Sequence, residues 1–451
     1  MGESRTIGVF GAGWVGLVTG GCFAELGYEV IIRDVIPERI EALRAGEMPF
    51  HEADLPEVLE RNRDRIHYTL DADDLARADA LFICVQTPPT YSGDADLSFV
   101  WSALDDLPEV EQRQILVMKS TVPVGTGDKV RAALEGRGLT NVGYVSNPEF
   151  LAEGRAVRDF LNPDRIVIGA FDEEDGVAVE ALYSGIEAPM VRTEVASAEM
   201  IKLAANAFLM TRISFINEIA NVCEAVGADV VEVAKGVGLD HRLGPHFLRA
   251  GIGYGGSCFP KDSLALKQLA SNSGYHFQLL SAVIEVNELQ KRRVVQKLQK
   301  HLGKLRGKKI ALLGLAFKAG TDDMREAPSI VLASRLLAEG AEVRAWDPVA
   351  RPGELLKGAT LCDSVLEAVT GAEAAVVVTE WPELRGLASP EVREAMARPL
   401  IIDGRNLLDP AETRAAGFAY EGIGRRQSSA FETLPETPER DTSAQDTSVT
   451  P

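Results

Sequence analysis

Short apolar runs followed at once by glycine-, proline- or serine-containing turns recur along the first third of the chain. They lie at 6–10, 80–85, 115–119 and 142–145, with a further run at 27–34. Helical-looking segments separate several of them, and this alternation predicts parallel strands in an α/β fold.

Polar residues collect where these strands end. Thr121, Glu149 and Glu153 each lie at or just beyond a predicted carboxyl end. Ligands of doubly wound sheets bind at that edge, so the three residues together predict a site. Taken singly, each is equally well a turn residue or a helix cap.

The second half of the chain repeats the pattern of the first. An apolar run at 308–313 opens it, segment 340–347 matches 27–34, and 374–378 matches 80–85. This predicts a second doubly wound domain. Its turn at 314–323 lacks the glycine spacing of the first half, which indicates a different nucleotide ligand. The cations available to it are Lys318, Arg325 and Arg405, although each is equally well an exposed surface charge.

Residues 194–227 form the longest helical pattern, apolar around much of its circumference and therefore buried on several sides. At about 1.5 Å per residue it spans roughly 50 Å, enough to bridge two domains or a dimer interface. Lys202 and Asn206 lie four residues apart on one face. A buried role for this lysine competes with a side chain that reaches solvent along the helix surface.

A chain of 451 residues is too long for one hydrophobic core. We predict an α/β protein with two doubly wound Rossmann-like domains joined by a long central helix. The boundaries are 1–193 for the first domain, 194–300 for a central helical domain, 301–424 for the second Rossmann-like domain and 425–451 for a tail. Few large apolar residues occur in the tail, so we expect it to be disordered.

The first strand leads directly into a glycine fingerprint. Gly11, Gly13 and Gly16 follow the strand and open a helix, the context in which this spacing binds a dinucleotide. Asp34 ends the next strand at the distance expected for a ribose contact, where a carboxylate repels a 2′-phosphate and favours NAD over NADP. A chance glycine turn is the alternative.

A second glycine-rich stretch, 251–262, reads G-I-G-Y-G-G-S-C-F-P-K-D and ends at a helical pattern. A helix N-terminus can lower the pKa of Cys258 and make it a nucleophile. The alternative is a flexible turn followed by an ordinary buried cysteine. A thiol near a nicotinamide suggests capture of an aldehyde as a thiohemiacetal, oxidation to a thioester and hydrolysis. That sequence converts an alcohol to a carboxylate and reduces two NAD.

The composition of the chain argues against some classes of binding partner and cellular location. The net charge of −20 disfavours nucleic acid and anionic membranes, and no apolar run is long enough to span a bilayer. Five scattered cysteines and a chain that enters a strand almost at once indicate a cytoplasmic protein. The six histidines show no metal-type spacing, so we expect no metal.

Seven motifs in order resemble the nucleotide-sugar dehydrogenases, the family that oxidises UDP-glucose, GDP-mannose and UDP-N-acetylhexosamines. They spread over residues 5–424. They are G-A-G-W-V-G, S-T-V-P-V-G-T, N-P-E-F-L-A-E-G, the helix with Lys202 and Asn206, G-Y-G-G-S-C-F-P-K-D, G-L-A-F-K-A-G-T-D-D-M-R-E-A-P-S and D-G-R-N.

The resemblance implies roles at matching positions. Cys258 would carry the thioester, Lys202 with Asn206 would stabilise the oxyanion, Asp262 would order water, and Glu149 would assist hydrolysis. Thr121 would position that water or the nicotinamide. The implied NAD contacts are Gly11, Gly13, Val15, Gly16, Asp34, Thr87, Thr121, Glu153 and Arg325. The implied nucleotide-sugar contacts are Phe150, Leu151, Lys202, Asn206, Arg242, Phe247, Leu248, Tyr254, Gly255, Lys318 and Arg405.

The resemblance also implies a homodimer, because Arg242 matches an arginine that reaches the sugar of a neighbouring subunit. The motif wording favours UDP-glucose, which would become UDP-glucuronate, with GDP-mannose or a UDP-N-acetylhexosamine as alternatives. A hydroxy-acid dehydrogenase would leave Cys258 idle. A non-catalytic sensor would not need Cys258, Lys202 and Asp262 together.

Overall fold

Two β-sheets organise the structure, a computed structural model that describes residues 5–426. The strands of the first sheet are Thr6–Phe10 (β1), Glu29–Arg33 (β2), Ile66–Thr69 (β3), Ala80–Ile83 (β4), Gln114–Met118 (β5), Val142–Ser146 (β6), Ile166–Ala170 (β7) and Met190–Thr193 (β8). Their order is β3-β2-β1-β4-β5-β6-β7-β8, and every neighbouring pair is parallel except β6 with β7.

Helices cover both faces of this sheet. They are Trp14–Glu25 (α1), Pro37–Arg44 (α2), Leu55–Arg61 (α3), Ser98–Asp105 (α4), Thr126–Gly136 (α5), Ala156–Leu161 (α6) and Glu173–Leu182 (α7). Successive residues of β4 point to opposite faces: Phe82 packs into one core, and Leu81 and Ile83 pack into the other. A sheet buried on both faces explains why its central strands β1, β4 and β5 are largely apolar runs rather than alternating.

Five helices connect the two sheets: Val195–Val226 (α8), Val230–Gly238 (α9), Phe259–Asn272 (α10), Gln278–Gln290 (α11) and Arg293–Leu302 (α12). The predicted long helix is confirmed as α8, which has 32 residues. It ends at Gly227, whose φ of +79° is the left-handed conformation that glycine adopts easily at a helix C-terminus.

The second sheet repeats the strand order of the first six strands of the first sheet. Its strands are Lys309–Leu313 (β9), Glu342–Trp346 (β10), Thr360–Leu361 (β11), Ala374–Val377 (β12), Leu400–Asp403 (β13) and Ala419–Gly422 (β14), and its helices are Pro328–Ala338 (α13), Val365–Val369 (α14), Pro390–Ala395 (α15) and Pro410–Ala415 (α16). The order β11-β10-β9-β12-β13-β14 is that of the first six strands of the first sheet. The predicted pair of Rossmann-like domains is therefore confirmed.

The predicted tail lies outside the described residues except for its first two. Arg425 is held at the body of the protein by an ion pair with Asp229 at 3.3 Å. Short 3-10 helices complete the described elements at Arg63–Arg65, Asp73–Arg77, Gly353–Leu356 and Pro382–Gly386.

Candidate active site

The glycine-rich loop before α10 is held by buried amides of the central helices. Asn217 of α8 accepts a hydrogen bond from Gly251 N at 2.9 Å, and Gln290 of α11 donates to Gly251 O at 2.7 Å. Asn287 accepts from Tyr254 N at 2.8 Å and donates to Tyr254 O at 3.1 Å. The loop is therefore fixed along its length, which argues against the flexible-turn alternative.

Two glycines let this loop press against the second Rossmann-like domain. A Cβ at Gly255 would lie 2.3 Å from Glu326 O, closer than real contacts allow. Gly256 has a φ of +87° and donates from its N–H to Arg325 O at 2.8 Å. The close approach that these glycines permit is thus to the chain's own backbone.

Cys258 is the N-cap residue of α10 and is partly buried, with Ser257 Oγ 3.5 Å from its sulfur. Burial raises the pKa of its thiol to about 11, Glu149 and Asp262 raise it too, and Lys202 lowers it. The expectation of a lowered pKa is wrong, because burial and the two carboxylates raise it. The resting thiol is protonated at neutral pH.

Lys202 and Glu149 form a buried ion pair beside this thiol. Lys202 Nζ donates to Glu149 Oε1 at 2.9 Å, and both side chains are 4 % exposed. Burial opposes the charge on Lys202, yet Glu149, Cys258 and Asp262 together raise its pKa. Burial likewise opposes the charge on Glu149, yet Lys202 and a backbone bond from Leu151 lower its pKa. Both groups are therefore charged, and Lys202 is buried rather than directed to solvent.

A chain of hydrogen bonds runs from Asn206 toward the predicted cofactor side. Asn206 Nδ2 donates to Asp262 Oδ2 at 2.6 Å, and Lys261 Nζ donates to Asp262 Oδ1 at 2.6 Å. Lys261 Nζ also lies 3.3 Å from Thr87 Oγ1, which donates to Thr121 O at 2.9 Å. This arrangement joins α8, the start of α10 and the ends of β4 and β5.

Glu153 connects the first domain to the second. Thr321 Oγ1 donates to Glu153 Oε2 at 2.9 Å, and Ser257 Oγ lies 3.3 Å from Oε1. Arg325 approaches the same carboxylate at 3.8 Å while pairing with Asp323 at 2.8 Å. Burial and the Asp323 charge raise the pKa of Glu153 to about 7. Two of the predicted NAD contacts, Glu153 and Arg325, are thus neighbours.

The turn after β1 has the features of a dinucleotide site. Gly11 has a φ of +97°, and a Cβ at Gly16 would lie 1.8 Å from Gly11 O. A Cβ at Gly13 would meet nothing within 4 Å, and α1 begins there with no side-chain cap and no acid in its first turn. Uncapped N–H groups facing open space suit a pyrophosphate. Asp34 accepts from Ala12 N at 2.7 Å, which places its carboxylate beside this turn.

The predicted nucleotide-sugar contacts differ in how deeply they are buried. Phe150 lies beside the buried ion pair, with Lys202 Nζ 5.5 Å from its ring centre, whereas the Arg242 side chain is 77 % exposed and pairs with Asp240. Arg405 is partly buried and donates to Gly253 O, Val378 O and Phe317 O, so it fastens the glycine-rich loop to the second sheet. Leu248 and Tyr254 are buried, Lys318 is partly accessible, and Phe247, whose backbone is left-handed, is exposed.

Sequence reasoning missed two lysines of this region, Lys119 and Lys261. Lys119 follows β5 and is buried, donating to Asn147 Oδ1 at 2.9 Å and Tyr183 OH at 3.0 Å. Burial lowers its pKa to about 8. A lysine directly after an apolar strand was the available signal for Lys119. Lys261 stands next to Asp262 in the glycine-rich motif, and only the fold shows its contact with Thr87.

Two features are absent from residues 5–426. No group of three or more His, Cys, Asp or Glu side chains in that range is placed to hold a metal ion. None of the helices described there is long and apolar enough to cross a membrane.

Known protein families match all three regions of the chain. Three domain models of the UDP-glucose/GDP-mannose dehydrogenase family match this chain. The model of the NAD-binding domain matches residues 5–187, that of the central domain 196–289 and that of the UDP-binding domain 311–410. The matched regions contain the glycine fingerprint, the catalytic-loop candidates and the second Rossmann-like domain respectively.

Individual relatives agree with the family models. The chain is 45 % identical to a UDP-glucose 6-dehydrogenase of Bacillus subtilis (strain 168) over 433 residues, 93 % of each chain. It is also 45 % identical to one of Pseudomonas aeruginosa over 442 residues, 92 % of this chain and 97 % of the other.

Solved structures show the same relationship. A UDP-glucose dehydrogenase of Pyrobaculum islandicum superposes with a TM-score of 0.88 at 37 % identity, covering 94 % of this chain and 99 % of that one. A UDP-D-ManNAc dehydrogenase of Pyrococcus horikoshii gives 0.84 at 30 % identity, with coverage of 94 % and 100 %. Together with the family models, these similarities show that the chain belongs to the UDP-glucose/GDP-mannose dehydrogenase family and is an NAD-dependent dehydrogenase.

Proposed function

We propose that this enzyme oxidises UDP-glucose to UDP-glucuronate through a covalent intermediate on Cys258. One observation carries the proposal: the Cys258 thiol stands beside the buried Lys202–Glu149 ion pair and the Asn206–Asp262 hydrogen bond, at the end of a fixed loop. A thiol with a cation and two carboxylates around it suits oxidation past the aldehyde.

NAD, when bound, accepts one hydride from the primary alcohol and, as a second molecule, another from the thiohemiacetal. Gly11, Gly13 and Gly16 would hold its pyrophosphate, and Asp34 would contact its ribose. Val15, Thr87, Thr121, Glu153 and Arg325 are the further contacts we assign to it. The enzyme's own groups bind the sugar and manage its protons.

Lys202 and Asn206 would hold the reacting oxygen of the sugar. Lys202 is a buried cation and Asn206 is four residues away on the same helix face, so both donors can converge on one oxygen. The alcohol proton would pass to a water ordered by Asp262, and the two donors would stabilise the negative charge that develops on the oxygen. Thr121, whose carbonyl is bonded to Thr87, would set the position of the nicotinamide end or of a water.

Cys258 would then attack the aldehyde carbon. A C–S bond forms, and the thiol proton ends on the former carbonyl oxygen beside Lys202. This thiohemiacetal would become the thioester by losing a hydride to the second NAD and its hydroxyl proton to water. Because the pKa of the thiol is raised to about 11, the free enzyme does not hold a thiolate, and the attack depends on the aldehyde being held next to the sulfur.

Hydrolysis of the thioester would use the two carboxylates. Asp262, held by Asn206 and Lys261, would order the water with Lys202, and Glu149 would assist proton transfer. The water oxygen bonds to the carbonyl carbon and the C–S bond breaks. One proton of the water goes to the sulfur, and another leaves when the product acid ionises.

UDP-glucose is favoured among the substrates of this family. Identity reaches 45 % with relatives called UDP-glucose 6-dehydrogenases and 37 % with a solved UDP-glucose dehydrogenase, against 30 % with the solved UDP-D-ManNAc dehydrogenase. GDP-mannose and the UDP-N-acetylhexosamines are the alternatives. We assign the nucleotide sugar to the region of Phe150, Leu151, Phe247, Leu248, Tyr254, Gly255, Lys318 and Arg405.

A homodimer completes the proposal. Phe208, Phe215 and Val222 are spaced by seven residues on α8 and are 63 %, 53 % and 55 % exposed, an apolar stripe that a second copy would cover. Arg242 extends into solvent and would reach the sugar site of that second copy. The domain boundaries that we propose place α8 and Arg242 together in the central domain, 194–300.

The experiment counts NADH released per nucleotide sugar consumed, with UDP-glucose, GDP-mannose and UDP-N-acetylglucosamine tested in parallel. Two NADH per UDP-glucose, with the carboxylate as product, is the expected result. One NADH would support a hydroxy-acid-type dehydrogenase, and none a sensor. Faster turnover of another sugar would replace the substrate while leaving the chemistry in place.

A further inference from the structure

A cavity of about 80 Å³ in the first domain is lined in part by Glu149. Its inner wall contains Lys119, Glu149 and Tyr183, which are all buried, and its outer wall contains Asn162 and Asp164, which are exposed. The cavity therefore extends from exposed residues at the protein surface to the carboxylate that pairs with Lys202, and Phe150 and Leu151 also line it.

The inner wall is polar and ordered. Lys119 Nζ donates to Asn147 Oδ1 and to Tyr183 OH, and Tyr183 OH donates to Asn147 Oδ1 at 2.6 Å. Asn147 Nδ2 donates in turn to Val167 O at 2.8 Å. An ammonium has three donors, and these two acceptors leave one for a molecule inside the cavity.

The cavity is suited to water. About 10–15 Å³ of open space suffices for one water molecule that finds polar partners, so about 80 Å³ has room for several. Lys119, Glu149 and Asn147 supply the partners. Ordered waters in such a place can pass protons along hydrogen bonds between the enclosed wall and the surface.

Lys119 is also electrostatically connected to the active site. Burial lowers its pKa to about 8, and the groups that face it are the thiols of Cys84 and Cys22, Glu149 and Lys202. The Lys119 charge in turn contributes to lowering the pKa of Glu149. A lysine that titrates close to neutral pH can hold a proton and release it again.

We propose that this cavity is the passage through which water reaches Glu149 and the proton of thioester hydrolysis leaves, with Lys119 as the positioning residue of its inner wall. This inference rests on the proposed function, which places a thioester on Cys258. Each hydrolysis consumes one water and releases one proton beyond the one that restores the thiol. Both must cross a site that is enclosed by the loop and the ion pair.

The test follows a single turnover of the full-length enzyme mixed with UDP-glucose and NAD. Samples are quenched with acid, and the mass of the intact protein gives the fraction acylated at Cys258 while chromatography gives the acid formed. The variants are Lys119→Met, which removes the charge, and Asn162→Trp, which blocks the exposed mouth without altering the core. Lys357→Trp, 84 % exposed in the second domain, is the matched control.

We expect both variants to hydrolyse the acyl-enzyme at least about tenfold more slowly than the wild type does. The loss should be smaller than the loss from removing a group that transfers the proton directly. The acylated fraction should rise, and the first NADH should form within about twofold of the wild-type rate. The wild-type hydrolysis rate should change near pH 8, where Lys119 titrates, and this change should be absent in Lys119→Met. The Asn162→Trp result stands even if Lys119→Met does not fold.

Wild-type hydrolysis rates and pH profiles in both variants would overturn the inference. So would a fall in acylation equal to the fall in hydrolysis, because that pattern indicates a purely structural role. Failure of the proposed function looks different: the wild-type enzyme itself would then form no adduct and release fewer than two NADH.

Discussion

At the scale of single residues, the environment of Cys258 decides the chemistry more than its position on a helix. The helix N-terminus is visible in the sequence, and its effect on the thiol can be predicted in sign. Burial and the charges of Glu149 and Asp262 act in the opposite direction. Asp262 lies in the same motif as Cys258, but Glu149 comes from a segment over a hundred residues earlier, and the burial comes from the fold itself. Sequence identified the nucleophile candidate but not its protonation state.

The raised pKa of Cys258 predicts how the free enzyme reacts with iodoacetamide. The thiolate is the reacting form, so the alkylation rate should increase with pH through the range 8–10 and reach its midpoint near pH 11. Lys202→Met should move the midpoint higher, since Lys202 lowers this pKa. Peptide mass analysis assigns the adduct to Cys258. A plateau already reached below pH 8 would contradict the account.

The Lys202–Glu149 pair predicts a non-additive effect on stability. Lys202→Met leaves a buried carboxylate without its partner, which costs about 3–5 kcal/mol. The double variant Lys202→Met/Glu149→Gln removes both charges and should recover most of that loss, while activity stays low in both. Thermal unfolding measures the difference, with Lys357→Met as an exposed control. Equal melting temperatures for the single and double variants would refute a buried ion pair.

At the scale of elements, the apolar periodicity of the sequence predicted the helices and strands better than it predicted the contacts of the loops. The boundaries of α8 follow from a long apolar pattern that ends at Gly227, and the strand β1 follows from an apolar run before the glycine fingerprint. The loop before α10 could be predicted to be glycine-rich and functional. Its support by Asn217, Asn287 and Gln290 could not, since these amides lie on helices distant in sequence.

The apolar stripe of α8 predicts that a charge at its centre weakens the dimer. Phe215→Glu should raise the dissociation constant at least about tenfold, which corresponds to about 1.4 kcal/mol, because a carboxylate would be buried at the contact. Light scattering after size-exclusion chromatography measures the mass over a dilution series. Leu355→Glu, at a position 56 % exposed in the second domain, is the control. A wild-type monomer, or identical masses for wild type and Phe215→Glu, would reject this surface.

At the scale of the whole molecule, the candidate active site is assembled from all three regions. The first domain contributes Glu149 and Thr121, the central helices contribute Lys202 and Asn206, and the second Rossmann-like domain fastens the Cys258 loop through Arg405. The repeat of the strand pattern between 27–34 and 340–347 was sufficient to predict two similar domains. The antiparallel β7 was not predicted, because it depends on the chain reversing after β6 through α6.

The glycine-bearing turns after β1 and after β9 share one acid position but differ in their surroundings. In the first domain Asp34 accepts from Ala12 N beside an open helix N-terminus. In the second domain Asp347 accepts from Leu315 N at 2.6 Å and also from Trp381 Nε1 at 2.9 Å. The same acid position is therefore kept in both halves, while the surroundings of the turn are adapted to different ligands.

The most direct test of the central claim replaces the sulfur of Cys258 by oxygen. Cys258→Ser should form no UDP-glucuronate above background from UDP-glucose and NAD, because the acyl intermediate cannot form, while NAD should bind as it does to wild type. Product formation and NAD binding are measured on the same preparation, with Cys362→Ser, a buried cysteine of the second domain, as control. Unchanged turnover in Cys258→Ser would contradict the thioester mechanism.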